Sequence, residues 1–116
     1  MTGWTERDGR YFKRISRKGE ALVFEGKTEG GLRCRVLRSY DTYVAYAIQH
    51  VDPLVARCLR GNGTGEYNVC GYTDETFSAT TTKHVNAFLK GEASGVWDIV
   101  QAVDHDTLVR FCRRGF

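Results

Sequence analysis

The sequence predicts an α+β domain, an antiparallel sheet packed on one face by C-terminal helices. Three observations predict it. Segments rich in β-branched and aromatic residues fill the first two-thirds of the chain and are separated by glycine-containing turns. Apolar residues at helical spacing then recur from Thr81 onward. Finally, 116 residues with one proline, 41% hydrophobic and 12% aromatic content make one globular domain with a real core.

The elements follow in order. Residues 1–9, with Trp4 to Gly9 polar, read as a mobile lead-in to a single domain spanning 1–116. Arg10 to Ser16 and Glu20 to Glu25 are β-favouring runs around Arg17-Lys18-Gly19, which reads as a hairpin; a short helix for the first run also fits Tyr11, Phe12 and Ile15. Lys27 to Gly31 is a loop by its paired glycines. Leu32 to Arg38 alternates, with Leu32, Cys34 and Val36 facing one way and Arg33 and Arg35 the other, as in a half-buried strand. Tyr40-Asp41-Thr42 makes a tight connection. Tyr43 to Gln49 is a strand apolar on both faces, Val44, Tyr46 and Ile48 opposite Tyr43, Ala45 and Ala47, and so an inner strand.

Asp52 and Pro53 open a short helix that Gly61 closes. Asn62 to Gly65 is a loop and lacks the Gly-Lys-Ser/Thr of a phosphate loop. Glu66 to Tyr72 is a strand weakened by Gly71. Thr76 to Ala79 reads as a short strand, and a helix starts at Thr80 or Thr81 with the stripe Val85, Phe88 and Leu89, ending at Gly91. Val96, Ile99, Val100 and Val103 are spaced as a further helix. A last helix follows, capped by Asp104 or Asp106, with Leu108, Phe111 and Cys112 inward and Arg110, Arg113 and Arg114 at its end.

Charge is uneven. Ten Lys/Arg and five Asp/Glu up to Arg38 give +5; seven against nine beyond it give −2. A basic N-terminal third either meets an anionic partner or keeps strand edges soluble. Arg10, Lys13, Arg14, Arg17 and Lys18, with Tyr11 and Phe12, are the nucleic-acid candidates, because phosphates attract Lys/Arg and exposed rings stack on bases. Thr80, Thr81 and Lys83 at a helix N-terminus either cap it or hold an anion. If exposed, tyrosines such as Tyr40 and Tyr43, with Arg110, Arg113 and Arg114, suit a protein partner.

Little points to catalysis. Cys34, Cys58, Cys70 and Cys112 form no Cys-x-x-Cys pair and stand at no finger-like spacing from His50, His84 or His105, so they read as buried hydrophobes, not metal ligands. His84 beside Ser78 lacks a third, orienting group in the sequence, and reads as a structural or surface histidine. His105 between two aspartates reads as capping. No cofactor signature is present. With no apolar run of membrane length and no signal-like N-terminus, the expected compartment is cytoplasm.

Ser39-Tyr40-Asp41-Thr42-x-Val44-Ala45 and Phe77-Ser78-x-Thr80-Thr81-x-Lys83-His84-Val85-x-x-Phe88-Leu89 resemble an uncharacterised small domain of phage and mobile-element proteins, over about Val36 to Gly91. The resemblance implies a compact α+β unit in a phage or prophage setting and transfers no catalytic residue. By genetic context it implies an anti-CRISPR-like role: a non-catalytic protein that binds and inhibits a host defence complex in a bacterial cytoplasm. The alternative is a nucleic-acid-binding accessory protein using the basic third. A small enzyme would need Ser78, His84 and an acid to converge.

Overall fold

The computed structural model describes residues 5–7, 10–15, 20–28, 31–51, 66–93 and 98–114. They form β1 (Thr5–Arg7), β2 (Arg10–Arg14), β3 (Ala21–Lys27), β4 (Arg33–Ser39), β5 (Thr42–Val51), β6 (Glu66–Thr73), α1 (Ala79–Glu92), β7 (Ile99–Val103) and α2 (His105–Arg114). The strands make one seven-stranded sheet in sequence order, antiparallel from β1 to β6, with β7 parallel to β6. A parallel neighbour cannot be reached by a hairpin, and α1 supplies the crossover.

The predicted class is found: an α+β domain whose helices pack on a mostly antiparallel sheet. The helices do not share one face, the expected arrangement, but divide between the two. Ala21, Val23, Leu37, Val44, Ala45, Ala47 and Cys70 pack with Val85 and Phe88 of α1. Cys34, Val36, Phe24, Tyr43, Tyr46 and Ile48 pack with Leu108, Phe111 and Cys112 of α2. Adjacent strand residues point to opposite faces, so Val36 against one helix and Leu37 against the other make three layers. β4 is therefore covered on both sides at its centre, not half-buried, while Leu32 before it is exposed.

β5 is the inner strand its apolar residues predict, but its faces differ from simple alternation. The β4–β5 register shifts after Leu37, where Ala45 pairs with Leu37 and Tyr43 with Arg38. The extra residue, Val44, turns with Ala45 toward α1, and Tyr43 joins Tyr46 and Ile48 on the α2 side. A bulge reverses the side-chain alternation beyond it.

Three further expectations are corrected. Thr5–Arg7, expected as mobile lead-in, is the edge strand β1, with Thr5 opposite Phe12; its polarity suits an edge. Thr76 to Ala79 is not a strand: the helix begins at Ala79, Ser78 caps it, and it runs one residue past Gly91. Ile99–Val103 is strand β7, not helix. Its spacing fits a helical stripe, yet a short β-branched run is ambiguous by period, and pairing with β6 decides it. The helix expected at Asp52–Gly61, the loop at Asn62–Gly65, and Cys58 lie outside the described residues.

Gly71 has a packing reason. It is the register partner of Tyr46, and a methyl group there would overlap the Tyr46 ring. That ring in turn lies 4.6 Å from Phe111 of α2, centroid to centroid. The glycine lets an aromatic lie flat on the sheet under the helix. Asn68 fastens the crossover: its amide donates to Asp98 Oδ1 at 2.7 Å and its side chain to the Glu92 carbonyl at 2.7 Å.

Candidate binding surface at the β4–β5 turn and α2

Ser39 and Thr42 are register partners, so Tyr40 and Asp41 form a two-residue hairpin loop. Tyr40 has φ of 55°, the left-handed region that glycine prefers. A bulky residue there costs of the order of 1–3 kcal/mol. Its amide donates to the Glu20 carbonyl at 2.8 Å, and its ring is tilted over His84 at 6.0 Å. It is nevertheless 43% exposed.

Beside this turn lies a cleft of about 540 Å³ lined by Asp41, Thr42, Tyr43, His105, Asp106, Val109, Arg110 and Arg113. Asp104 orients α2 along it as N-cap, accepting from the Thr107 amide at 3.2 Å. His105 Nδ1 bonds the Thr73 hydroxyl at 2.9 Å, and Phe77 packs on the His105 ring at 5.1 Å. A second hollow of about 290 Å³ adjoins it through the shared Thr42, lined also by Ser39, Tyr40, Val44, Phe77, Ser78 and Thr81. Exposed Tyr40 and Phe77 both line this second hollow.

From the exposed Ser78 of the second hollow a polar chain leads inward. Ser78 Oγ bonds Thr81 Oγ1 at 3.2 Å; Thr81 Oγ1 bonds Ser39 Oγ at 3.0 Å; Ser39 Oγ bonds His84 Nδ1 at 2.9 Å. Ser78 also accepts from the Thr81 amide at 3.1 Å. The serine that meets His84 is therefore Ser39, from the other motif, and not Ser78. Ser39 and His84 are 3% and 2% exposed, which suits a bridge between β4 and α1. Sequence alone missed Ser39 and Thr81 as buried polar groups. The available signal was helical: Thr81 and His84 continue the Val85–Phe88 face by one turn.

The expected partner-binding residues Tyr43, Arg110 and Arg113 meet in the cleft, and Tyr40 stands next to it. The Arg114 side chain lies outside the described residues. The expected nucleic-acid residues are not all brought together. Lys13 pairs with Val23 and points toward the α1 side, whereas Arg14 pairs with Leu22 and shares the α2 side. The Arg10 side chain, Arg17 and Lys18 lie outside the described residues. Arg33 and Arg35 contact Glu25, Arg35 also contacts Glu92 at 3.0 Å, and Arg38 contacts Glu20 at 3.2 Å. Burial opposes the charge on Arg35, but the hydrogen bond and charge of Glu92, then of Glu25, outweigh it and raise its pKa. At the α1 N-terminus Lys83 is exposed, Thr80 half-buried, and Thr81 turned inward.

Burial pushes the Cys34 and Cys112 thiols up to about 12 and Cys70 to about 11, which makes them inert at neutral pH. Among the described residues no cluster of three His, Cys, Asp or Glu side chains is placed to hold a metal ion. Among them, too, no helix is long and apolar enough to cross a membrane.

Fold and surface together define a small three-layer α+β domain with an open, mixed-charge cleft. The chain belongs to a family of unknown function, DUF8033, whose profile matches residues 9–97. That match is wider than Val36 to Gly91: it takes in β2 and β3 with their basic residues, and leaves β7 and α2 outside. No curated protein and no solved structure matches the chain.

Proposed function

We propose that this chain is a non-catalytic binding protein of phage or mobile-element origin that engages a host protein complex in the bacterial cytoplasm, acting as an inhibitor of host defence. The observation that carries the binding reading is Tyr40. A tyrosine occupies a hairpin position that favours glycine, remains exposed, and adjoins a cleft holding Tyr43, Arg110 and Arg113. Strain kept at an exposed position is a reason to look for function there. Tyrosine and arginine are the favoured anchors of protein interfaces. The cleft also holds Asp41 and Asp106, a mixture that fits a protein surface better than a phosphate backbone.

The test is capture of partners by the tagged full chain from nuclease-treated host lysate, beside Tyr40→Gly and the Arg110→Glu/Arg113→Glu pair. One stoichiometric complex held by the parent and lost from both variants, with melting temperatures no lower than the parent's, is the expected result. Equal capture by parent and variants would remove the cleft from the function.

A second reading, nucleic-acid binding, is favoured by Arg14, which shares the α2 side of the sheet with Arg110 and Arg113. It requires retention only in untreated lysate and binding that falls steeply with salt.

A further inference from the structure

The two ends of the sheet are built differently. β1 is three residues long and contains Glu6 and Arg7, the kind of short charged edge that discourages pairing. β7 reads Ile-Val-Gln-Ala-Val, without a charge. It pairs with β6, and among the described residues nothing pairs with its outer edge. Ile99 is 49% and Val100 45% exposed, and as neighbours they point to opposite faces of the sheet. An added strand would therefore find an apolar neighbour on each face and a row of backbone donors and acceptors between them.

The charges around β7 select what that strand is. From Gly91 to Val109 the chain has no Lys or Arg, and Asp98 and Asp104 immediately bracket the strand. Asp74 and Glu75 are exposed near its C-terminal end, where the Asp74 amide donates to the Val103 carbonyl. A second copy is disfavoured: antiparallel self-pairing that aligns all five residues sets Asp98 of one copy against Asp104 of the other, and like charges opposite each other destabilise a strand pair.

We propose that the outer edge of β7 is a peptide-docking site that adds one extended strand from a partner protein, with about five β-branched or aromatic residues flanked at both ends by Lys or Arg. Backbone hydrogen bonds hold the strand; Ile99 and Val100 pack against its side chains; the acids at the two ends select its flanks. The site is separate from the cleft beside Tyr40 and stands or falls independently of it.

The test uses the full chain and an array of seven-residue peptides, five β-branched or aromatic residues flanked by lysine, glutamate or serine. Binding is measured together with amide hydrogen exchange. Lysine-flanked peptides are expected to protect alternate β7 amides, those directed away from β6, and to bind about three- to tenfold tighter than glutamate-flanked ones. The Asp98→Asn/Asp104→Asn variant keeps the acceptor oxygens that meet the Asn68 and Thr107 amides, and with an unchanged melting temperature it should shrink that preference by several-fold. Absence of β7 protection with every peptide, equal binding of lysine and glutamate flanks, or concentration-dependent protection of β7 without peptide would each overturn the proposal, the last in favour of a second copy.

Discussion

The two faces of the sheet are closed by different chemistry. On the α1 side an apolar centre around Phe88 and Val85 is flanked by polar fastenings: Ser39, Thr81 and His84 at one end of the helix, and Arg35, Glu25, Glu92 and Asn68 at the other. On the α2 side the closure is apolar and aromatic, with Tyr46 between Gly71 and Phe111 and with Leu108 and Cys112 fully buried. Hydrogen bonds fix where a helix sits because they are directional; apolar contact supplies more of the free energy and less of the register. The longer α1 carries the crossover to β7 and is positioned at both ends, whereas α2 is held mainly by what it buries.

The largest expected effects come from emptying either centre. Phe88→Ala on one face should cost about 3–5 kcal/mol and Leu108→Ala on the other about 2–5 kcal/mol, read from urea unfolding midpoints. A loss under 1 kcal/mol at either site would show that its helix is not held by its apolar stripe.

Alkaline pH should separate the faces next. The folded thiols lie at about 12 for Cys34 and Cys112 and about 11 for Cys70, against 9.0 ordinarily, all because burial disfavours the thiolate. Each raised value favours the protonated fold, so this stability is full below pH 9 and is lost as pH rises through 11 to 12. In a Cys58→Ser background the three should resist alkylation until denaturant is added, Cys70 reacting before the other two as pH is raised. Rapid labelling of Cys34 or Cys112 in the native protein at neutral pH would contradict their burial.

Gly71→Ala should cost about 1–3 kcal/mol by forcing the Tyr46 ring off the sheet. Combined with Tyr46→Ala, it should cost much less than the two single changes added together. Ser39→Ala should cost a similar or smaller amount, about 1–3 kcal/mol, because His84 and Thr81 stay buried with one partner fewer. Full additivity of Ser39→Ala and Thr81→Val in a double-mutant cycle would show that the hydroxyl chain is not one unit.

The ion pairs are the weakest test. Arg35→Ala should cost about 1 kcal/mol and Arg33→Ala less than about 0.5 kcal/mol, since Arg33 is well exposed and its pair is screened by water. Both effects should shrink in molar salt.

Residue order by itself determined much of this protein. The β2–β3 hairpin, β4, the inner character of β5, the tight turn after Ser39, the stripe of α1 and the inward face of α2 all follow from local period, turn residues and caps, and these act over a few residues. The helical reading of Ile99–Val103 failed because a five-residue run with four apolar residues satisfies two periods at once. Only pairing with β6 chose between them. The same limit hid β1, whose three polar residues carry no signal of their own and gain order from pairing with Arg10, Tyr11 and Phe12 of β2.

The candidate surface shows the division most clearly. Tyr40, Tyr43, Arg110 and Arg113 were legible as residues that favour partners, but the meeting of Tyr43, Arg110 and Arg113 in one cleft beside Tyr40 depends on α2 lying across β5. That depends on the bulge at Val44, which turns Tyr43 to the α2 side. Likewise Ser39 joins His84 across 45 positions of sequence because the end of β4 lies under the first turns of α1. Local spacing encodes which face of an element is apolar. Which elements share that face is settled only when the sheet closes, because burial and hydrogen bonding act through space, without regard to distance along the chain.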